Sequence, residues 1–366
     1  MLLLDIINLN NINFIENQEL NIIFNNNYVD IYGNNIKDNL KNIFNQNILK
    51  NNIVKKKIKI IKILGEGSYG IVYKIKINSN YYAFKINKNE FPDKLNERFN
   101  SLISCDFLKK YIINIYIAGQ ILNNTNNNDE YKYFSIMEYG GNTLKNIYND
   151  LDTTKIKLII KQLFNIIHIT SKNKFLMTDL KLSNITITDD HKIKLIDIYM
   201  FCENYIPCTK CKIVRTYSTI EIEHEKRIYE NPTYNFTCIY IPFAICLIDL
   251  LCKNSMQEYC KKICDKFNLN MNIKTIIPLL QIACYNFNNK NNDNIKEYKS
   301  IYKYKKKIEN DFPIVKNDDL YDYFINLLSI NHDFISKKKF ILIINDLINL
   351  DPNQRSLKYL KDKLIN

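Results

Sequence analysis

Short runs of alternating apolar and polar residues predict a β-rich region that begins near residue 58. The segments "IKIIKILGEG", "GIVYKIKIN" and "YYAFKIN" are rich in Ile, Val and Tyr, and turn residues separate them. Strands joined by such tight turns favour an antiparallel sheet. The segment "YKYFSIMEY" (131–139) predicts a further strand, and "FPDKLNERFNSLISCDFLKK" (91–110) predicts a helix.

After the pair Gly140 and Gly141 the pattern changes to a helical period. Apolar residues from Ile156 to Ile167 recur at helical spacing, behind Asp152 and Thr153 as candidate N-caps. The apolar run "CIYIPFAICLIDLLC" (238–252) is too short to span a bilayer, and it contains an Asp. It therefore predicts a buried helix, and no membrane span is expected.

Two segments stand apart from these patterns. Residues 1–55 are rich in Asn and interrupted by short apolar clusters, and they predict an N-terminal extension with one helix near 36–44. The polar stretch at about 286–307 predicts a solvent-exposed insert in loop form. The fold class is therefore α+β, with a small antiparallel β-rich part (about 56–138) before a larger helical part (about 142–366).

The net charge of +13 has two explanations. A basic surface attracts nucleic acid or acidic substrates. Alternatively, AT-rich codons enrich Lys, because the 51 basic residues comprise 47 Lys and four Arg. Recognition of phosphates and bases relies on Arg, which favours codon bias, so a nucleic-acid partner is not expected.

The ten cysteines are scattered, and the start "MLLLDIINLN" lacks the basic segment of a signal peptide. Reduced thiols and a cytoplasmic location are therefore expected. The pattern "CTKC" (208–211) has the spacing of metal ligands, but without a second such pair free thiols are favoured over a zinc site.

The motif "GEGSYGIV" (65–72) follows one predicted strand and leads into another. A dinucleotide-binding loop would be followed by a helix instead. Three glycines at this spacing let the backbone approach phosphate groups without interference from side chains. A plain β-hairpin is the alternative interpretation.

Further motifs follow in a fixed order. They are "YAFK" (82–85), "FSIMEYGG" (134–141), "TDLKLSN" (178–184), "KLIDIY" (194–199), "YSTIE" (217–221) and "DPNQR" (351–355). Together with GxGxxGxV, this series resembles the eukaryotic-type protein kinases of the Ser/Thr class, in divergent form. The composition is similar to that of AT-rich large DNA viruses such as insect poxviruses, which implies the host cytoplasm, although an AT-rich protist would look similar.

The resemblance implies a bilobal protein-kinase fold over residues 56–366 and assigns roles to individual residues. It implies that ATP binds to Gly65, Gly67, Gly70, Val72, Ala83, Lys85, Glu97, Met137, Glu138 and Gly140. It implies that Asp179 and Lys181 are catalytic, and that Asn184 and Asp197 hold Mg²⁺ or Mn²⁺. It also implies a buried ion pair between Glu221 and Arg355.

These residue types suit phosphoryl transfer, whose loose transition state needs alignment and neutralised charge. The carboxylate of Asp179 would accept or orient the proton of the attacking hydroxyl, and Lys181 would reach the γ-phosphate. In the family, a Lys at that position accompanies Ser or Thr acceptors. A protein with Ser or Thr hydroxyls is therefore the expected partner.

The chain departs from the family at several positions. Met177 stands in place of a His with a packing role, and Thr178 in place of an Arg that binds a phosphorylated activation loop. Ile198 and Tyr199 replace the Phe and Gly of the magnesium loop, and Ile239 replaces an Asp that supports the catalytic loop. A working, simplified kinase is favoured; the alternatives are a pseudokinase scaffold and a small-molecule phosphotransferase.

Overall fold

In a computed structural model, the chain consists of two compact units, Met1–Gly141 and Asn142–Asn366. Both contain buried apolar side chains. The structure describes residues 3–5, 19–25, 53–67, 70–87, 106–122, 133–173, 176–177, 179–196, 201–202, 239–270, 273–288, 299–316, 319–351 and 354–362.

The first unit contains one closed, mainly antiparallel sheet. Its strands are β1 (Leu3–Asp5), β2 (Glu19–Asn25), β3 (Ile53–Gly67), β4 (Gly70–Ile77), β5 (Asn80–Asn87), β6 (Ile115–Leu122) and β7 (Tyr133–Glu138). The order across the sheet is β1-β2-β3-β4-β5-β7-β6, and β1 also pairs with β6, in parallel. Of the helix predicted over 91–110, only α1 (Asp106–Lys109) lies within the described residues.

Alternation along the strands buries one face of this sheet. In β4 the side chains of Tyr73 and Ile75 are buried, whereas Lys74 and Lys76 between and beyond them are half-buried. Phe84 of β5 is fully buried and lies against the adjacent strand β7. Burial of each such side chain contributes about 1.5 to 3 kcal/mol. The predicted antiparallel strands β3, β4, β5 and β7 are confirmed.

The N-terminal extension differs from its prediction. It supplies β1 and β2, and β3 begins at Ile53 rather than near residue 58. The backbone of β2 pairs with β3 from Glu19 opposite Lys59 to Asn25 opposite Ile53. The helix predicted near 36–44 lies outside the described residues. The described parts of the extension, residues 3–5, 19–25 and 53–55, therefore belong to the sheet of the first unit.

The second unit is mainly helical. Its helices are α2 (Leu144–Ile147), α3 (Thr153–Lys172), α4 (Tyr240–Leu251), α5 (Met256–Phe267), α6 (Ile273–Asn288), α7 (Lys299–Asp311), α8 (Asp319–Leu327), α9 (Lys337–Leu347) and α10 (Lys358–Leu360). Its strands are β8 (Asn142–Thr143), β9 (Leu176–Met177), β10 (Ile185–Ile187), β11 (Ile193–Leu195) and β12 (Phe201–Cys202). The strands form two small antiparallel sheets, β11-β10-β8 and β12-β9.

Two predicted helices are confirmed. The side chain of Asp152 accepts a hydrogen bond from the backbone N–H of Lys155 at 2.8 Å, which caps α3 at the predicted end. Helix α4 coincides with the predicted buried run, and its side chains are almost all buried. Among the helices in the described part of the chain, none has the length and apolar character needed to cross a membrane.

The prediction of a loop over 286–307 is wrong at both ends of that range. Helix α6 continues to Asn288, and α7 starts at Lys299. Lys305 of α7 is buried, with 4% exposure, because it forms an ion pair of 2.8 Å with the equally buried Glu309 one turn later. Asn286 of α6 donates to the same carboxylate at 3.0 Å. This polar network joins α6 to α7.

Replacing Lys305 by Met is expected to destabilise the second unit. Burial raises the pKa of Glu309, but hydrogen bonds from Lys305 and Asn286 hold that pKa below its usual value. Without Lys305, a buried carboxylate loses its main partner, and the free energy of unfolding should fall by about 3 kcal/mol. Urea unfolding measures this change. Lys307→Met, at an exposed position of the same helix, is the control, and an equal effect of both variants would contradict the interpretation.

Helix α9 carries a carboxyl group whose ionisation opposes folding. Burial raises the pKa of Asp346 to about 7. The unfolded chain releases this proton near pH 4, at about the ordinary pKa of Asp, so stability should fall as the pH rises from there to about 7. Asp346→Asn removes this contribution. Its melting temperature relative to wild type should rise between about pH 4 and pH 8, whereas a difference that does not change with pH would contradict the assignment.

Candidate functional site

The glycine-rich segment forms the tip of the β3–β4 hairpin, where Gly67 lies opposite Gly70. Gly70 has a φ of +145°, and a Cβ added there would lie 1.9 Å from the carbonyl oxygen of Ile86. The fold itself therefore requires a glycine at this position. At Gly65 and Gly67, by contrast, an added Cβ would have no atom of the described residues within 4 Å. Packing does not explain these two glycines, and the space beside them is open to a ligand.

Four predicted ATP-site residues share one face of the sheet. Val72 of β4 lies opposite Lys85 of β5, and Ala83 of β5 lies opposite Met137 of β7. Cross-strand partners project from the same face, and so do residues two apart on a strand. Ala83 and Met137 are buried, with exposures of 5% and 7%, and Lys85 is half-buried. The hairpin tip thus continues into an apolar surface that includes one lysine.

Sequence reasoning missed two polar residues on the same face. Ser135, with 2% exposure, lies directly opposite Lys85, and Asn87 follows Lys85 by two residues. The side-chain nitrogen of Asn87 is buried and has no hydrogen-bond partner among the described residues. Ser135 lies within the segment "FSIMEYGG" but was given no role there, and Asn87 belongs to no motif. In the sequence, these residues could be recognised only as polar side chains at strand positions where buried residues are expected.

At the end of β7, Glu138 is tied to Asn114. Its carboxylate accepts hydrogen bonds from the Asn114 side chain at 2.8 Å and backbone at 3.1 Å, and its own N–H donates to the Asn114 carbonyl at 2.8 Å. Burial, followed by the charge of Glu138, raises the pKa of Tyr116 nearby. Gly140 is buried two residues further on. These bonds fix the backbone at Glu138, one of the residues predicted to bind ATP.

In the second unit, the segment from Met177 to Asn184 is anchored by buried apolar side chains. Met177, with 1% exposure, lies opposite Phe201 in the β9–β12 pair, and its packing role is confirmed. Leu180 and Leu182 are also buried, and a 3-10 turn, Leu182–Asn184, leads into β10. The apolar anchors hold the polar residues between them in one place.

Asp179, Lys181 and Asn184 come together in this segment. The ammonium group of Lys181 lies 2.6 Å from an oxygen of the Asp179 carboxylate. The side-chain amide of Asn184 donates to the same oxygen at 3.0 Å and to the Asp179 carbonyl at 2.9 Å. Asp179 is 6% exposed, so these charge-assisted bonds stabilise a carboxylate with little access to water.

Helix α4 lies close to this carboxylate. Burial, with smaller contributions from the charges of Asp249 and Asp179, raises the pKa of Cys246 well above its usual value. Ile239, which stands where the family has a supporting Asp, is fully buried at the start of α4. Asp249 instead accepts a hydrogen bond of 2.6 Å from the N–H of Met256 and so links α4 to α5.

Other predicted residues are placed only in part. Arg355, with 5% exposure, donates through Nε to the carbonyl oxygen of Asn349. Glu97, Asp197 and Glu221 lie outside the described residues, as do Thr178, Ile198, Tyr199 and the "CTKC" segment. The proposed ion pair between Glu221 and Arg355 therefore stays a prediction.

The described residues suit ATP and a divalent cation to different degrees. Gly65 and Gly67 leave space beside the backbone, and Lys85 supplies a positive charge on the adjoining face. Asn184 uses its nitrogen for Asp179, which leaves its oxygen, a suitable ligand for Mg²⁺, outside those two bonds. Within the described ranges, no group of three His, Cys, Asp or Glu could hold a metal ion.

The polar cluster can position a hydroxyl group. A buried carboxylate whose orientation is fixed by Lys181 and Asn184 is a group that can accept a proton or orient a donor. Such a group serves proton transfer in many classes of enzyme. Comparison with other proteins adds no relative to this picture: no protein-family model matches the chain, and no curated protein matches it significantly.

Proposed function

We propose that the chain is an ATP- and Mg²⁺-dependent protein kinase that phosphorylates Ser or Thr hydroxyls of protein substrates. The observation that carries this proposal is the contact of Lys181 and Asn184 with the carboxylate of Asp179. These are three of the residues to which the kinase resemblance gives catalytic or metal-binding roles. Their spacing in the sequence brings Lys181 and Asn184 into contact with the carboxylate of Asp179.

Asp179 is the proposed acceptor or orienting group for the substrate hydroxyl. Its low exposure favours this role, because a carboxylate shielded from water acts more strongly on a bound hydroxyl. Lys181 neutralises the carboxylate in the structure, and its ammonium group is proposed to contact a phosphate of the bound nucleotide. Asn184 keeps the carboxylate oriented through its two hydrogen bonds.

The first unit is proposed to hold the nucleotide. Gly65 and Gly67 would admit the phosphates to the hairpin backbone, Val72 and Ala83 would cover the adenine, and Lys85 would neutralise phosphate charge. When bound, ATP with Mg²⁺ supplies the phosphoryl group and the cation that neutralises it. A protein-kinase arrangement with an N-lobe and a C-lobe is part of this proposal, as are Glu97 and Asp197 in their predicted roles.

The proposed location is the cytoplasm, where ATP is abundant and thiols stay reduced. Cys246, Cys252, Cys260 and Cys284 are buried thiols outside any disulfide, in agreement with this proposal. Burial raises the pKa of Cys252 and Cys260 to about 12, so neither is a reactive thiolate at neutral pH.

The proposal is tested by incubating the purified chain with radiolabelled ATP and a generic protein acceptor, with Mg²⁺ or with EDTA. We expect Mg²⁺-dependent label on the acceptor, found on phosphoserine or phosphothreonine after acid hydrolysis. Label on tyrosine alone would contradict the acceptor class. Binding of ATP and Mg²⁺ without any transfer would favour the pseudokinase scaffold, and transfer to small hydroxyl compounds alone would favour a small-molecule phosphotransferase.

A further inference from the structure

Lysines face each other across strands β3 and β4. Lys62 lies directly opposite Lys74, and Lys59 lies directly opposite Lys76. Directly opposed side chains have Cβ atoms about 5 Å apart, and like charges in such positions destabilise a sheet. The four residues, here called the lysine strip, thus place four positive charges within a small area of one sheet face.

The described residues do little to neutralise the strip. None of its lysines forms an ion pair with a described carboxylate. Instead, the ammonium group of Lys74 lies 4.1 Å from the ring centroids of both Tyr81 and Tyr139. Cation–π contacts hold a lysine in position and leave its charge in place. The strip therefore presents ordered positive charge to the solvent.

The strip continues the face that carries the proposed nucleotide-binding residues. Lys74 follows Val72 by two residues on β4 and lies opposite Ala83. The distance along a strand between alternate residues is about 7 Å, so the strip begins next to the proposed adenine site. On the far side, Glu19 of β2 occupies the register position opposite Lys59.

We propose that the lysine strip binds an extended, acidic segment of the protein substrate. The proposal rests on the proposed kinase function. An extended peptide with acidic residues at alternate positions repeats its charges every 7 Å or so, which matches Lys74 and Lys76 along β4. Nucleic acid is the less suitable partner, because recognition of phosphates and bases relies on Arg and the strip contains none.

The test uses fluorescence anisotropy with the full-length chain, without nucleotide, so that it does not depend on catalysis. The probe is a labelled peptide with Glu at alternate positions; the comparison ligands are the matching Gln peptide and a single-stranded RNA of equal length. Lys62→Gln with Lys76→Gln leaves Lys74 between its two rings. Lys261→Gln with Lys262→Gln, at exposed positions of α5, is the control with the same change of net charge.

We expect the first double variant to weaken peptide binding about five- to tenfold, as two exposed ion pairs would, and the control to weaken it less than twofold. In the transfer assay, the same variant should raise KM for an acidic acceptor and leave kcat unchanged. Its melting temperature should be equal to or above that of wild type, because like-charge contacts are removed. Equal weakening by both variants, no preference for the Glu peptide, or tighter binding of RNA would overturn the proposal. If the chain transfers no phosphate but still binds the peptide, this result would contradict the kinase function and support the lysine strip as a peptide-binding surface.

Discussion

Asp179→Asn is expected to reduce phosphate transfer about 100- to 10,000-fold, the range typical of general acid–base groups. The amide retains the size of the carboxylate but can neither accept the proton nor pair with Lys181, which lies 2.6 Å away in wild type. The affinity for ATP should change little, because the carboxylate acts in the transition state. Steady-state transfer and nucleotide titration measure the two effects separately.

The control for this variant is Asp190→Asn. Asp190 lies in the exposed turn between β10 and β11, where hydrogen bonds from Lys192 and Thr188 lower its pKa to about 2. The substitution removes the same charge from the same unit at a distance from the cluster of Asp179. Equal activity of Asp179→Asn and wild type would show that the carboxylate has no part in transfer.

Gly70→Ala is expected to have the largest effect on the first unit. An Ala at a φ of +145° costs about 1 to 3 kcal/mol of backbone strain. In addition, its Cβ would lie 1.9 Å from the carbonyl oxygen of Ile86, so that β4 and β5 would have to separate. We expect the free energy of unfolding to fall by at least this amount, with loss of ATP binding as a consequence. Chemical denaturation followed by fluorescence measures the change.

Gly67→Ala separates folding from ligand binding at the same hairpin. Within the part of the chain that the structure describes, no atom lies within 4 Å of an added Cβ, so stability should change by less than about 0.5 kcal/mol. If phosphates approach this backbone, the methyl group should weaken ATP binding by about 1 to 3 kcal/mol. Unchanged ATP affinity in a stable Gly67→Ala variant would contradict the proposed role of the hairpin.

The elements that the sequence predicted are those with a strong local pattern. Strands β4 and β5 alternate regularly and are separated by a tight turn, and α3 combines a helical period with the cap at Asp152. The contact of Asn184 with Asp179 agrees with the spacing of a short motif, because the 3-10 turn between them brings residues five apart within hydrogen-bond distance.

The features that the sequence did not predict depend on partners distant in the chain. Strand β2 is stabilised by pairing with residues of β3 that lie 28 to 40 positions later in the chain, which its Asn-rich surroundings did not indicate. In α7, Lys305 occupies a buried position that is stable only beside Glu309 and Asn286. The position of Asn87 and Ser135 beside Lys85 likewise depends on strand register, which no motif encodes.

The central claim, that Asp179 belongs to a working phosphotransfer site, is tested most directly by a single turnover with enzyme in excess over radiolabelled ATP. Wild type and Asp179→Asn are prepared identically, with Mg²⁺ and a protein rich in Ser and Thr as acceptor. We expect label on the acceptor for wild type, and a rate of transfer at least about 100-fold lower for Asp179→Asn. Equal label with both preparations, or none with wild type, would contradict it.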